Sequence, residues 1–162
     1  MKQLLRLLVL CVGSFLLVSC SFLGNVPASY SPNLVDDEQR MLEEGDSFFY
    51  KNRNVEVVEN QVVLTFKRFS GLETVCTLAC EEPQEIGISI NAAVNTNLYK
   101  LVLINDDREE VTTLSQGSVT NSQTLTLQSG RNRIKVVGYD VDGSVQIALT
   151  VGQAVVLDLC GE

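Results

Sequence analysis

From Val55 onward, apolar and polar residues alternate with a period of two. Val62, Leu64 and Phe66 fall on one face, and Val63, Thr65 and Lys67 on the other. Ile86, Ile88 and Ile90 alternate with Gly87 and Ser89, and Tyr99, Leu101 and Leu103 with Lys100 and Val102. Leu125 and Leu127 alternate with Thr124 and Thr126, and Val145, Ile147, Leu149 and Val151 with Gln146, Ala148 and Thr150. Such alternation predicts strands with one buried face. Turns are predicted at Ser70-Gly71, Glu81-Glu82-Pro83, Asn105-Asp106-Asp107, Ser129-Gly130 and Asp142-Gly143. Strands this short, at intervals of about ten to fifteen residues and with no helical pattern between them, predict an all-β antiparallel sandwich or barrel and not a βαβ fold, and we take residues 55–162 as a sandwich. Val62, Leu64, Phe66, Leu101, Leu103, Ile134, Val136, Ile147 and Leu149 should share its core, with Lys100 and Gln146 outside.

The pattern before Val55 differs. Residues 34–54 read as a short helix and a lead-in: Asn33 can cap, Asp36, Asp37 and Glu38 suit a first turn, and Gly45 a stop. The apolar stripe of Leu34, Met41 and Leu42 is partial. Residues 20–33 hold Gly24, Pro27, Pro32 and three serines, and read as a flexible tether spanning about 20 Å. At the start, Lys2 and Arg6 precede twelve uncharged residues, Leu7 to Val18. That run is too short for a bilayer of about 30 Å and suits the apolar region of a signal peptide.

The residues that follow, Leu17-Val18-Ser19-Cys20, resemble the lipobox of bacterial lipoprotein precursors. The resemblance implies that residues 1–19 are removed as a signal peptide and that Cys20 carries fatty acyl chains such as palmitate. The mature chain is then extracytoplasmic and lipid-anchored to the cell membrane. Ser21 would permit the outer membrane in a cell that has one. Two or more acyl chains anchor stably where one binds only marginally.

Removing 1–19 leaves 143 residues, enough for one domain with a real core. Two cations and no anion go with the signal, so the formal charge moves from −8 to −10. An acidic chain argues against nucleic acid and against a polybasic grip on lipid. The chain has no histidine, which removes the Ser-His-Asp and Cys-His nucleophiles, imidazole zinc sites and an imidazole base. It has no tryptophan either, so any stacking platform must come from four Tyr and six Phe.

Gln128-Ser129-Gly130-Arg131-Asn132-Arg133-Ile134-Lys135-Val136-Val137-Gly138-Tyr139-Asp140, followed by Gly143, is similar to the late hairpin of immunoglobulin-like or jelly-roll bacterial surface modules. The resemblance implies architecture and carries no activity.

Three cysteines follow the acyl site. Cys76 and Cys80 lie on one predicted strand about 13 Å apart, beyond the roughly 7 Å a disulfide allows. An intrachain bridge would therefore join Cys160 with Cys80 or Cys76, unless all three are buried thiols. Asp140 and Asp142, before Gly143, form the best calcium candidate, although a hairpin turn explains the same residues and no metal is expected. No cofactor is implied.

Three functions remain open. The leading one is a non-catalytic, membrane-anchored sandwich acting as a binding or structural surface. The alternative is a module for a small molecule or glycan, with Tyr99, Tyr139 or Phe69 as stacking groups. A carboxylate-based hydrolase is third, since nothing among twenty acids selects a pair. An enzyme is not expected.

Overall fold

The computed structural model describes residues 27 and 29–160. The signal peptide, Cys20 and most of the tether lie outside them. Nine strands follow a 3-10 turn, Pro32–Asp36, and one short helix, α1, Glu38–Leu42. They are β1 Ser47–Phe49, β2 Asn52–Val58, β3 Gln61–Cys80, β4 Gln84–Val94, β5 Tyr99–Asn105, β6 Glu110–Gln116, β7 Val119–Leu127, β8 Gly130–Thr150 and β9 Val156–Leu159.

All nine form one antiparallel hydrogen-bonded sheet folded over into two layers, because β3 and β8 run through both. The first layer is β2, the first half of β3, the second half of β8, β4 and β7. In the second layer β1 and β9 lie end to end beside the second half of β3, followed by the first half of β8, β5 and β6. The class expected from the alternation is the one observed, a β-sandwich. All nine core residues predicted above are buried.

Two predicted turns are corrected. Ser70-Gly71 and Asp142-Gly143 do not end strands; each is a corner at which a long strand passes from one layer to the other. The β3–β8 register slips between Phe66 and Gly71, as bulges allow. Positive φ angles fall at Arg68 and Gly71 on one strand and at Asp140 and Gly143 on the other. Gly71 and Gly143 have φ of 130° and 152°, which side chains rarely adopt. A Cβ on Gly143 would also drive into the carbonyl oxygen of Ala93. Turn residues mark both corners because a corner and a turn need the same backbone angles.

The expected helix is also rearranged. Asn33 falls inside the 3-10 turn with Pro32 at its start, and Asp37 caps α1, its Oδ1 accepting the Arg40 N–H at 3.2 Å. This N-terminal segment is a strap over the outer face of the second layer. Leu34 and Met41 bury against Leu72, Val102, Ile104 and Val137, which is why Val102, polar-facing in the alternation, is fully buried. Two β8 cations, Arg133 and Lys135, sit beneath the strap, 1% and 0% exposed. Arg133 donates to the carbonyls of Leu42 (3.1 Å) and Glu43 (2.9 Å) and to Asp106 Oδ1 (2.7 Å). Lys135 Nζ donates to the Glu43 carbonyl at 2.8 Å and pairs with Asp46 at 3.3 Å. The strap's orphan carbonyls are thus satisfied by buried cations. Burial, then the Arg133 charge, holds the Lys135 ammonium below the ordinary lysine range.

Candidate functional site

The sandwich has one broad face that nothing in the described chain covers, the outer side of the first layer. Strand alternation sends Ile88, Ile90, Val145, Ile147 and Leu149 inward to the core and their neighbours outward. Register then aligns the outward residues in rows. Thr120, Asn91, Gln146 and Val63 lie directly opposite one another across β7, β4, β8 and β3. Ser122, Ser89, Ala148 and Gln61 form the next row. With neighbouring strands about 4.8 Å apart, each row runs roughly 15 Å.

Every polar group in the middle of this face is a neutral hydroxyl or amide. Ser89 and Ser122 share a hydrogen bond of 2.7 Å between their Oγ atoms, and Thr120 Oγ1 donates to Asn91 Oδ1 at 3.0 Å. Those bonds fix rotamers and leave the Asn91 NH₂ to face a ligand. The Gln146 amide, half-buried, makes no hydrogen bond within the described residues. Small residues provide the floor: Ala148 lines a depression of about 130 Å³ with Ser89, Asn91, Thr120, Ser122 and Gln146. Such a surface offers donors and acceptors in fixed positions with no charge to select an ion.

The residues singled out from sequence lie elsewhere. Tyr99 and Phe69 are fully buried and cannot stack on a ligand. They belong to an interior aromatic group, with Phe69 stacked on Tyr50 at 4.7 Å and Phe66 beside Tyr99 at 6.2 Å. Tyr99 fits both readings in sequence, because an inward strand position and a binding platform both favour an aromatic; burial settles it as an inward position. Tyr139 is half-buried beside the β8 corner. Asp140 and Asp142 both turn to Arg68: Asp140 Oδ1 meets its Nε at 2.9 Å and Asp142 Oδ1 accepts its backbone N–H at 2.7 Å. Among the described residues, no group of three or more His, Cys, Asp or Glu is placed to hold a metal ion.

Cys76, Cys80 and Cys160 are all free thiols in this structure. Residues 74–80 are extended within β3, so Cys76 and Cys80 are held apart as the spacing required. Cys160 continues beyond β9, its N–H bonded to the Val75 carbonyl at 3.0 Å. Burial, and then the neighbouring Cys160, pushes the Cys76 thiol up to about 12.

Sequence reasoning passed over Glu73. This carboxylate is buried, pairs with Arg53 at 2.5 Å and accepts a hydrogen bond from the Tyr50 hydroxyl. Burial and the Glu73 charge push the Tyr50 phenol upward. The trio ties the β1–β2 segment to the edge of the core. Its only sequence signal is an acid at a position where the alternation on β3 has already broken.

A cleft of about 480 Å³ lies at one end of the sandwich among Ala79, Cys80, Glu81, Glu82, Gln84, Gly130, Ala154 and Val156. Its polar rim consists of Glu81, Glu82 and Gln84, whose side chains make no hydrogen bond within the described residues. Cys80, on its wall, is committed to the Gln128 carbonyl at 3.2 Å. We therefore place the candidate site on the sheet face, where the polar groups are positioned before a ligand arrives.

No family model matches this chain, and no curated protein does. Solved structures with a similar strand arrangement include a mutant of a family 29 carbohydrate-binding module, at TM-score 0.37 and 9% identity, covering 70% of this chain and 82% of that one. A second family 29 mutant, complexed with mannohexaose, aligns at TM-score 0.37 and 12% identity over 70% and 82%. A family 35 module from Cellvibrio japonicus aligns at TM-score 0.35 and 13% identity over 74% and 96%. Alignments this loose leave the fold to be read from strand pairing and the function from the residues.

Proposed function

We propose that this protein is a non-catalytic binding module for neutral carbohydrate, held at a membrane surface through acylated Cys20. The observation that carries the glycan reading is the uncharged face of Ser89, Asn91, Thr120, Ser122 and Gln146, prearranged by strand register and cross-strand hydrogen bonds. A sugar presents hydroxyls that both donate and accept, and amides and hydroxyls complement them without the desolvation penalty of a charge. Phosphorylated or anionic ligands would find no cation among these residues. The anchor rests on the Leu17 to Cys20 order after a basic, apolar leader.

The test is affinity electrophoresis and calorimetry against a panel of neutral and acidic polysaccharides. We expect binding to a neutral member, abolished by Asn91→Ala with Gln146→Ala and unchanged by Glu81→Ala with Glu82→Ala. Binding that survives the first pair, or is lost with the second, refutes the site. Cys20→Ser separately tests the anchor: the variant should accumulate as a precursor that takes up no labelled fatty acid.

A further inference from the structure

We propose that β2 pairs with β2 of a second copy of this chain, antiparallel about Val55, so that two sandwiches share one continuous sheet. β2 is an edge strand of seven residues, and no other described strand pairs with its outer side. Every position except Val55 is exposed, and Val57 and Val58 remain 43% and 62% exposed. A long edge carrying exposed apolar side chains is a template for another strand. The opposite edge of the same layer, β7, is instead tied across to the second layer, Gln123 Nε2 donating to the Leu114 carbonyl at 3.5 Å.

Overlap and charge select both the partner and the register, since only centring on Val55 pairs all seven residues of β2. Around a two-fold axis normal to the sheet, a strand pairs with itself only about one central residue. Centring on Arg53 or Glu56 sets like charges face to face, which is unfavourable. Centring on Val55 sets Val55 against itself, Asn54 against Glu56, Arg53 against Val57, and Asn52 against Val58. Glu59, with φ of 52°, turns the chain toward β3, so the pairing is carried by Asn52–Val58 and the Asn54–Glu56 contact occurs twice per dimer. Asn54 Nδ2 already lies 3.3 Å from Glu56 Oε1 on the outer side of its own strand, so its amide needs little movement to serve the neighbouring carboxylate. The symmetry keeps both polar faces on one side and both N-terminal straps on the other, so two copies tethered to one surface would pair without either being inverted.

The test uses the intact chain. Directly opposed residues on antiparallel strands have Cα atoms about 4.5 to 5.5 Å apart, within disulfide range. Chains carrying Asn54→Cys mixed with chains carrying Glu56→Cys should cross-link on mild oxidation, with the linkage mapped to residues 54 and 56. Neither variant alone should do so comparably. Thr124→Cys mixed with Thr126→Cys, on the β7 edge, should give no such product. In sedimentation equilibrium Asn54→Glu, which sets two carboxylates opposite each other twice per dimer, should weaken association by about five- to tenfold, and adding Glu56→Lys should restore it. Equal cross-linking on β7, or a monomer with no 54–56 linkage, overturns the pairing. Either result leaves the glycan reading standing, since single-site binding to an oligosaccharide needs only one copy.

Discussion

Replacing Arg133 by Met should loosen the strap and destabilise the whole domain. Arg133 is 1% exposed and is the shared donor for the Leu42 and Glu43 carbonyls and the Asp106 carboxylate. Met fills much of the space and supplies none of those donors. Each buried carbonyl left without a partner costs about 1 to 3 kcal/mol, and breaking one side of a buried ion pair about 3 to 5 kcal/mol. These terms share partners and do not add. The loss is also limited, because the strap can lift and let water reach the orphaned groups. We expect a loss of about 3 to 5 kcal/mol, within the range for a buried pair, with amides of residues 34–46 losing hydrogen-exchange protection ahead of the sandwich. Arg133→Lys should fall between, since one ammonium cannot replace a fork that reaches three acceptors. Urea denaturation and exchange measured on the same variants decide the matter. A loss below about 1 kcal/mol, the scale of ordinary surface changes, or a large loss with strap protection unchanged, would refute the clamp.

Truncating Leu101 or Ile147 to Ala should cost about 2 to 5 kcal/mol, whereas Thr124→Ala should cost little; chemical denaturation that found equal losses would reverse the assigned faces. Gly143→Ala should destabilise more than Gly152→Ala, because φ of 152° and the Ala93 carbonyl oppose a Cβ at Gly143 while nothing lies within 4 Å at Gly152; equal melting temperatures would show that the β8 corner relaxes freely. Between the ordinary thiol range, about 8.5, and about 12, the unfolded chain releases the Cys76 proton while the folded chain keeps it. The folded state then binds more protons, so stability should fall as pH rises through that window, less steeply in Cys76→Ala when followed by denaturation at successive pH values.

The layers were legible in the chain because inward positions such as Ile86, Ile88 and Ile90 repeat strictly every two residues. The corners were not, since Asp-Gly and Ser-Gly answer to local φ and cannot report whether the chain reverses or only bends. What separates the cases is the partner strand: β3 keeps β8 on both sides of Gly71, a long-range fact. The burial of Arg133 and Lys135 is not legible in sequence, because it depends on a strap about ninety residues earlier. The candidate site was half visible. Alternation shows that Ser89, Thr124 and Gln146 point away from the core, but only register shows that Thr120, Asn91 and Gln146 stand in one row. The aromatic expectation failed at Tyr99 and Phe69 because large rings gain most from the interior.

A titration of the folded protein with the neutral oligosaccharide that binds it, followed residue by residue through amide chemical shifts, tests the central claim most directly. Perturbations should cluster on β4, β7 and the second half of β8, centred on Asn91, Thr120 and Gln146. Perturbations centred instead on the end cleft around Ala79, Gln84 and Val156, or no perturbation with any neutral sugar, would contradict a carbohydrate site on the sheet face.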